Sequence, residues 1–149
     1  LCFFLGSLAY PRRMAKAIAR RRGLDLLMIQ GSPRDTFSSV RKAKGCGPSE
    51  FLGLYKNASF ICTDSFHGTA FAINFRKPFY AFCRRGYEKK SSYHSRIKDL
   101  LDILGLSDRL VHPNEPKEVD EEIDYVAVLE QLERHRRISI DYLKRSLLL

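Results

Sequence analysis

The 149-residue chain sets 26 Lys and Arg against 17 Asp and Glu, a formal charge of +9, and is 44% hydrophobic. That is enough apolar material for one domain that buries a core without disulfides or a metal, and the four widely spaced cysteines (Cys2, Cys46, Cys62, Cys83) form no CxxC or Cys/His cluster, which excludes a zinc ribbon or disulfide framework and points to a reducing, cytoplasmic setting. The charge leaves nucleic acid, an anionic membrane surface and small anionic ligands open, but no zinc finger, RNP-type signature or basic region joined to heptads is present, so nucleic acid is not the expected partner.

Leu1-Cys2-Phe3-Phe4-Leu5-Gly6 is too short for a membrane span, lacks the basic flank of a signal peptide and reads as the first core strand. No initiator Met precedes it, so the chain is expected to be a piece of a longer protein, with any site shared with another domain incomplete. Pro11 to Arg22 predicts a helix with Met14, Ala17 and Ile18 on one face, ended by cations at Arg20 to Arg22 and by Gly23 at C′. Leu24 to Ile29 is a second strand. Gln30 to Gly47, polar and rich in Gly, Ser, Lys and Arg, reads as a long loop with at most one short helix.

Pro48 opens a helix that runs to Asn57. Ser59 to Cys62 is a third strand, and an apolar helix follows through Phe75. Pro78 to Cys83 is a fourth strand, succeeded by a basic, tyrosine-containing loop from Arg84 to His94. Arg96 to Leu104 predicts an amphipathic helix with Ser95 as N-cap and Gly105 as its stop; Arg109 to Val111 is a short strand after it. A long helix from about 124 to 148 closes the chain, with Tyr125, Leu129, Leu132, Leu143 and Leu147 as its expected packing face. Strands alternating with helices over short connections imply a single α/β domain over 1–149, a Rossmann-like parallel sheet with flanking helices.

In such sheets ligands bind beyond the carboxyl ends of the strands. The loops at Gly6 to Tyr10, Gln30 to Arg34, Asp64 to Gly68 and Arg84 to Arg96 therefore converge on one edge. The turn Thr63-Asp64-Ser65-Phe66-His67-Gly68-Thr69 puts a hydroxyl, an imidazole and a glycine where a strand becomes a helix, with backbone N–H groups at a positive dipole end. Spacing alone makes His67 a helix-end imidazole that caps or packs, and its place between Ser65 and Gly68 at this turn also suits a general acid near an anion. Ser65 and Thr69 suit helix caps, a role compatible with touching a ligand, and Asp64 suits a turn former. Arg34 and Arg96 are candidate anion ligands or solvated cations. His94, His112 and His135 have no partner at metal-ligand spacing and receive no role. Gly45-Cys46-Gly47-Pro48-Ser49-Glu50 is not a dinucleotide fingerprint, because Glu50 takes its last position and no suitable strand precedes it. There is no Walker A sequence, and Ser65 lacks a GxSxG elbow.

Taken in order, Gly47-Pro48-Ser49-Glu50-Phe51-Leu52, Asn57-Ala58, Thr63 to Phe71, Lys77-Pro78-Phe79, Ser95-Arg96-Ile97 with Leu100-Leu101, and Gly105 to Arg109 resemble the C-terminal half of polysaccharide pyruvyl transferases. The resemblance implies a two-domain, GT-B-like enzyme with its active site in the cleft between Rossmann-like halves, of which this chain is the second. It implies transfer of the pyruvyl group of phosphoenolpyruvate to a saccharide or lipid-linked saccharide as a ketal, in cell-surface polysaccharide biosynthesis. The location would be cytoplasmic, or peripheral at the membrane's inner face. No cofactor or metal is expected beyond the phosphoenolpyruvate donor. His67 matches the family's histidine and would be the general acid or base. Ser65, Phe66 and Gly68 at the turn, with Arg34, Ser95 and Arg96, would bind the donor's anionic groups. Two alternatives remain: a GT-B glycosyltransferase domain binding a nucleotide sugar, and a non-catalytic anion or nucleic-acid binding module.

Overall fold

The computed structural model describes residues 1–29, 40–43, 45–83, 92–113 and 122–147, with the side chains of 92–95 left aside. Among the described residues six parallel strands form one sheet: β1 (Cys2–Phe3), β2 (Leu27–Ile29), β3 (Arg41–Ala43), β4 (Ile61–Thr63), β5 (Phe79–Phe82) and β6 (Leu110–Val111). Their order is β3-β2-β1-β4-β5-β6, that of a Rossmann fold. The helices are α1 (Ala9–Arg21), α2 (Pro48–Asn57), α3 (Phe66–Asn74), α4 (Ser92–Ile103) and α5 (Tyr125–Ser146), with a 3₁₀ turn at Ser107–Arg109.

Period-two alternation in the strands divides the core into two layers. Ile29, Ile61, Phe79, Ala81 and Leu110 face one side, where Tyr55 of α2, Ala72 and Ile73 of α3, Ile97 and Leu101 of α4 and Val128 of α5 cover them. Cys2, Met28, Cys62, Tyr80, Phe82 and Val111 face the other, where Ala15 and Ile18 of α1 pack. Aromatic contacts tie the first layer together: Phe51 stacks on Tyr55 at 4.7 Å and meets Phe71 edge-on at 5.8 Å.

Local chemistry ends the helices where the sequence says it should. Arg20 and Arg21 fill the last turn of α1; Gly23, at φ +61°, lets its own N–H reach Arg20 O and the Leu24 N–H reach Ala19 O, a Schellman cap. Asp124 caps α5 by accepting the Val126 and Ala127 N–H groups.

Three expectations need correction. The segment from Gln30 to Gly47 contains a strand, β3, which pairs with β2 at the sheet's edge; Arg41-Lys42-Ala43 has no apolar alternation because a charged edge strand needs none. Helix α4 begins at Ser92, so Ser95 lies inside it and is not its N-cap. On α5, Tyr125 and Leu132 pack on the core, but Leu143 and Leu147 are 54% and 63% exposed. Among the described residues no helix is long and apolar enough to cross a membrane.

Candidate functional site

The order of the strands reverses between β1 and β4, and the crevice beyond their carboxyl ends is the topological switch point where such sheets bind ligands. Two turns meet there, the one leading from β1 into α1 and the one leading from β4 into α3. Asp64, 3% exposed, joins them: its Oδ1 accepts the Leu5 N–H at 2.7 Å and its Oδ2 the Gly6 N–H at 2.8 Å. Thr63 adds a second tie, donating its hydroxyl to Phe3 O at 2.7 Å while accepting the Ser65 N–H at 3.1 Å. Arg12 braces the first turn by donating to Gly6 O and Leu8 O at 3.0 and 2.8 Å.

Ser65 is the N-cap of α3. Its backbone is extended, its Oγ accepts the Gly68 N–H at 3.4 Å, its carbonyl accepts from the Thr69 hydroxyl at 3.0 Å, and it is 2% exposed. Gly68 is buried for a packing reason. A Cβ there would stand 2.4 Å from Thr63 Oγ1 and 2.6 Å from the Tyr55 hydroxyl, so only glycine lets α3 lie this close to β4 and α2. The Tyr55 hydroxyl is beside that of Thr63 but makes no hydrogen bond of normal geometry, and burial, ahead of every other influence, pushes its pKa up.

What the turn presents outward is His67 with the first amides of α3. The imidazole is exposed and approaches the Phe66 ring edge-on at 5.7 Å. Arg96 of α4 lies over that same ring, its guanidinium carbon 5.4 Å from the centroid. Phe66 thus places a cation and an imidazole around one aromatic plate. The N–H groups of Phe66 and His67 find no acceptor among the described residues, as expected for the first two positions of a helix.

Of the residues singled out in sequence, Ser65, Phe66, His67, Gly68 and Arg96 come together here. Ser95 belongs to the same helix as Arg96, one residue earlier. Arg34 lies outside the described residues. A neighbouring group was not foreseen. Extending the register past Thr63–Ala81 and Phe82–Val111 brings Ser65, Cys83 and His112 to one level, and the Cys83 thiol is 3.5 Å from His112 Nδ1. Tyr10 donates its hydroxyl to Cys83 O and, at 3.3 Å, to Val111 O, fastening the start of α1 to β5 and β6. Burial raises the Tyr10 phenol's pKa, with the Cys83 and Asp64 charges adding to it. Twenty-nine residues separate Cys83 from His112, and no local pattern announces the pair. No group of three His, Cys, Asp or Glu among the described residues is arranged to hold a metal.

No curated protein and no solved structure matches the chain. The model of the polysaccharide pyruvyl transferase family matches residues 11–82. That span runs from α1 to the end of β5 and contains the whole β4–α3 turn, while Ser95-Arg96 and Gly105 to Arg109 of the motif series fall beyond it. Over residues 11–82, with Ser65, Phe66, His67 and Gly68 among them, this chain is similar to the polysaccharide pyruvyl transferases, a family of transferases with saccharide acceptors.

Proposed function

We propose that this chain is the donor-binding half of a polysaccharide pyruvyl transferase that moves the pyruvyl group of phosphoenolpyruvate onto two hydroxyls of a saccharide, lipid-linked or free. The observation that carries this reading is the exposed His67 imidazole beside two unclaimed helix-start amides at the switch point, inside the stretch that matches the family. A helix N-terminus favours an anion, and an imidazole at that start is placed to pass a proton to a ligand bound there.

The chemistry then runs as follows. His67 gives a proton to the methylene carbon of phosphoenolpyruvate, turning it into a methyl group and leaving an oxocarbenium-like centre at the adjoining carbon. A saccharide hydroxyl attacks that carbon and loses its proton. The carbon–oxygen bond to phosphate breaks, and a second hydroxyl, also losing its proton, closes the ketal as inorganic phosphate departs. The Phe66 and His67 amides and the Arg96 guanidinium hold the donor's carboxylate and phosphate, with Arg34 as the candidate second guanidinium. Ser65 shapes the turn as its cap and Gly68 lets it pack, while Ser95 sits at the start of the arginine's helix. No cofactor or metal takes part.

A second Rossmann-like domain completes the cleft in a GT-B-like arrangement and carries the acceptor site. The parent enzyme works in the cytoplasm, free or peripherally at the inner face of the membrane. Phosphate release from phosphoenolpyruvate with a saccharide acceptor tests this: the parent protein is expected to turn over, and the 149 residues alone to bind donor weakly and release none. Robust transfer by the 149 residues would refute the half-site.

A further inference from the structure

The protein fills one of its two switch-point turns with a charge of its own. In a sheet of this order the amides just past β1 are those a dinucleotide fold offers to a pyrophosphate. Here the Leu5 and Gly6 amides each donate to a separate oxygen of Asp64, at 2.7 and 2.8 Å, the one-oxygen-per-amide arrangement that a bound phosphate would adopt. The carboxylate is 3% exposed, and Thr63 and Ser65 on either side of it are 0% and 2% exposed, so it is fixed by the packing of β4 and is not a surface group that could swing aside. Arg12, the cation nearest this turn in sequence, donates to the Gly6 and Leu8 carbonyls and so braces the turn. A diphosphate entering between β1 and α1 would find the Leu5 and Gly6 amides, its best donors there, already engaged by a buried side chain.

We propose that Asp64 is the specificity-determining residue of the site. By occupying the β1–α1 amides with the protein's own carboxylate it excludes nucleoside diphosphate donors, and it leaves the start of α3 to a compact anion bearing a single phosphoryl group. The inference rests on the reading above that the crevice takes an anionic donor, and it selects between the pyruvyl donor and a nucleotide sugar.

The test is an amide-resolved NMR titration of the ¹⁵N-labelled 149-residue chain with uridine diphosphate and, separately, phosphoenolpyruvate, in wild type, Asp64→Asn and Asp64→Glu. In wild type, phosphoenolpyruvate is expected to shift Phe66 and His67 but not Leu5 and Gly6, and uridine diphosphate to shift none of the four. In Asp64→Asn, which keeps the shape, removes the charge and can satisfy only one of the two amides, uridine diphosphate is expected to bind at least tenfold more tightly and to move Leu5 and Gly6. Asp64→Glu, which retains the charge, is expected to keep it out. Saturable uridine diphosphate binding at Leu5 and Gly6 in wild type would overturn the proposal, as would a folded Asp64→Asn with wild-type affinity. Should Asp64→Asn not fold, the wild-type and Asp64→Glu titrations decide it by the same two amides. If Asp64→Asn gains the diphosphate while phosphoenolpyruvate shifts nothing in wild type, Asp64 keeps its role and the pyruvyl-donor reading falls.

Discussion

Replacing Gly68 by alanine sets two effects of opposite sign against each other. The new Cβ would lie 2.4 Å from Thr63 Oγ1, 2.6 Å from the Tyr55 hydroxyl and 3.2 Å from Thr63 Cβ. Neighbours must therefore retreat by about 1 Å before the contacts become ordinary packing distances. Neither is free to do so. Thr63 is fully buried and would give up its bonds to Phe3 O and the Ser65 N–H by turning away. Tyr55, also fully buried, is clamped by Phe51 and Phe71, with ring centroids at 4.7 and 6.0 Å. Overpacking of this kind costs about 1–3 kcal/mol, and a broken Thr63 hydrogen bond adds about 1 kcal/mol. Alanine's better helix propensity returns at most about 1 kcal/mol. The expected result is a loss of about 2 kcal/mol, or a fall in Tm of about 4–8 °C for a domain of this size, read by circular dichroism on heating and in urea. A Gly68→Ala protein as stable as wild type, or more so, would refute the packing argument and return the glycine to a purely ligand-facing role.

Arg76 holds φ +53° at the end of α3, where the Lys77 N–H reaches Ala72 O as in a glycine-capped helix; Arg76→Gly should raise stability by about 1 kcal/mol, and an unchanged urea midpoint would contradict this. The Tyr125 hydroxyl donates to Lys77 O at 2.5 Å, so Tyr125→Phe should cost about 1 kcal/mol, whereas Tyr55→Phe, which removes a buried hydroxyl lacking a well-formed hydrogen bond, should change stability by no more than about 0.5 kcal/mol; equal losses from both would undo the distinction. Burial raises the phenol pKa of Tyr10, Tyr55 and Tyr125, so the folded state holds these protons more tightly than the unfolded chain. Their contribution is fully present below the ordinary phenol value of about 10 and is lost as pH rises beyond it, so urea midpoints should fall above about pH 10 and be flat just below. A midpoint that holds steady well into the alkaline range would contradict that sign.

Helix ends and central strands were legible because their signals are local. Arg20-Arg21-Arg22-Gly23 announces a helix terminus, and Ile61-Cys62-Thr63 and Phe79 to Phe82 are apolar runs buried on both faces. β3 was not legible, because an edge strand pairs on one side and its Arg-Lys-Ala carries no hydrophobic period. Leu143 and Leu147 continue the helical repeat of α5 without core to meet them, and periodicity cannot tell where a neighbour stops. Within the site, the strand-to-helix turn could be read from Thr63 to Phe71, and the Arg96 guanidinium lies over the ring next to His67. What the sequence could not reveal were the long-range ties: Asp64 clasps amides 59 and 58 residues away, and Cys83 meets His112 only because β5 and β6 are neighbours. Such contacts follow from strand order, which no local pattern encodes.

His67 can be removed without touching the packing, since it is exposed and, among the described residues, meets the edge of the Phe66 ring. The most direct measurement is phosphate release from phosphoenolpyruvate by the parent protein with a saccharide acceptor, comparing wild type with His67→Ala. A loss of about a hundredfold or more, with thermal unfolding unchanged, is the predicted result for a general acid. Near-normal release by a folded His67→Ala protein would contradict it, and would leave the β4–α3 turn as a structural joint without a catalyst.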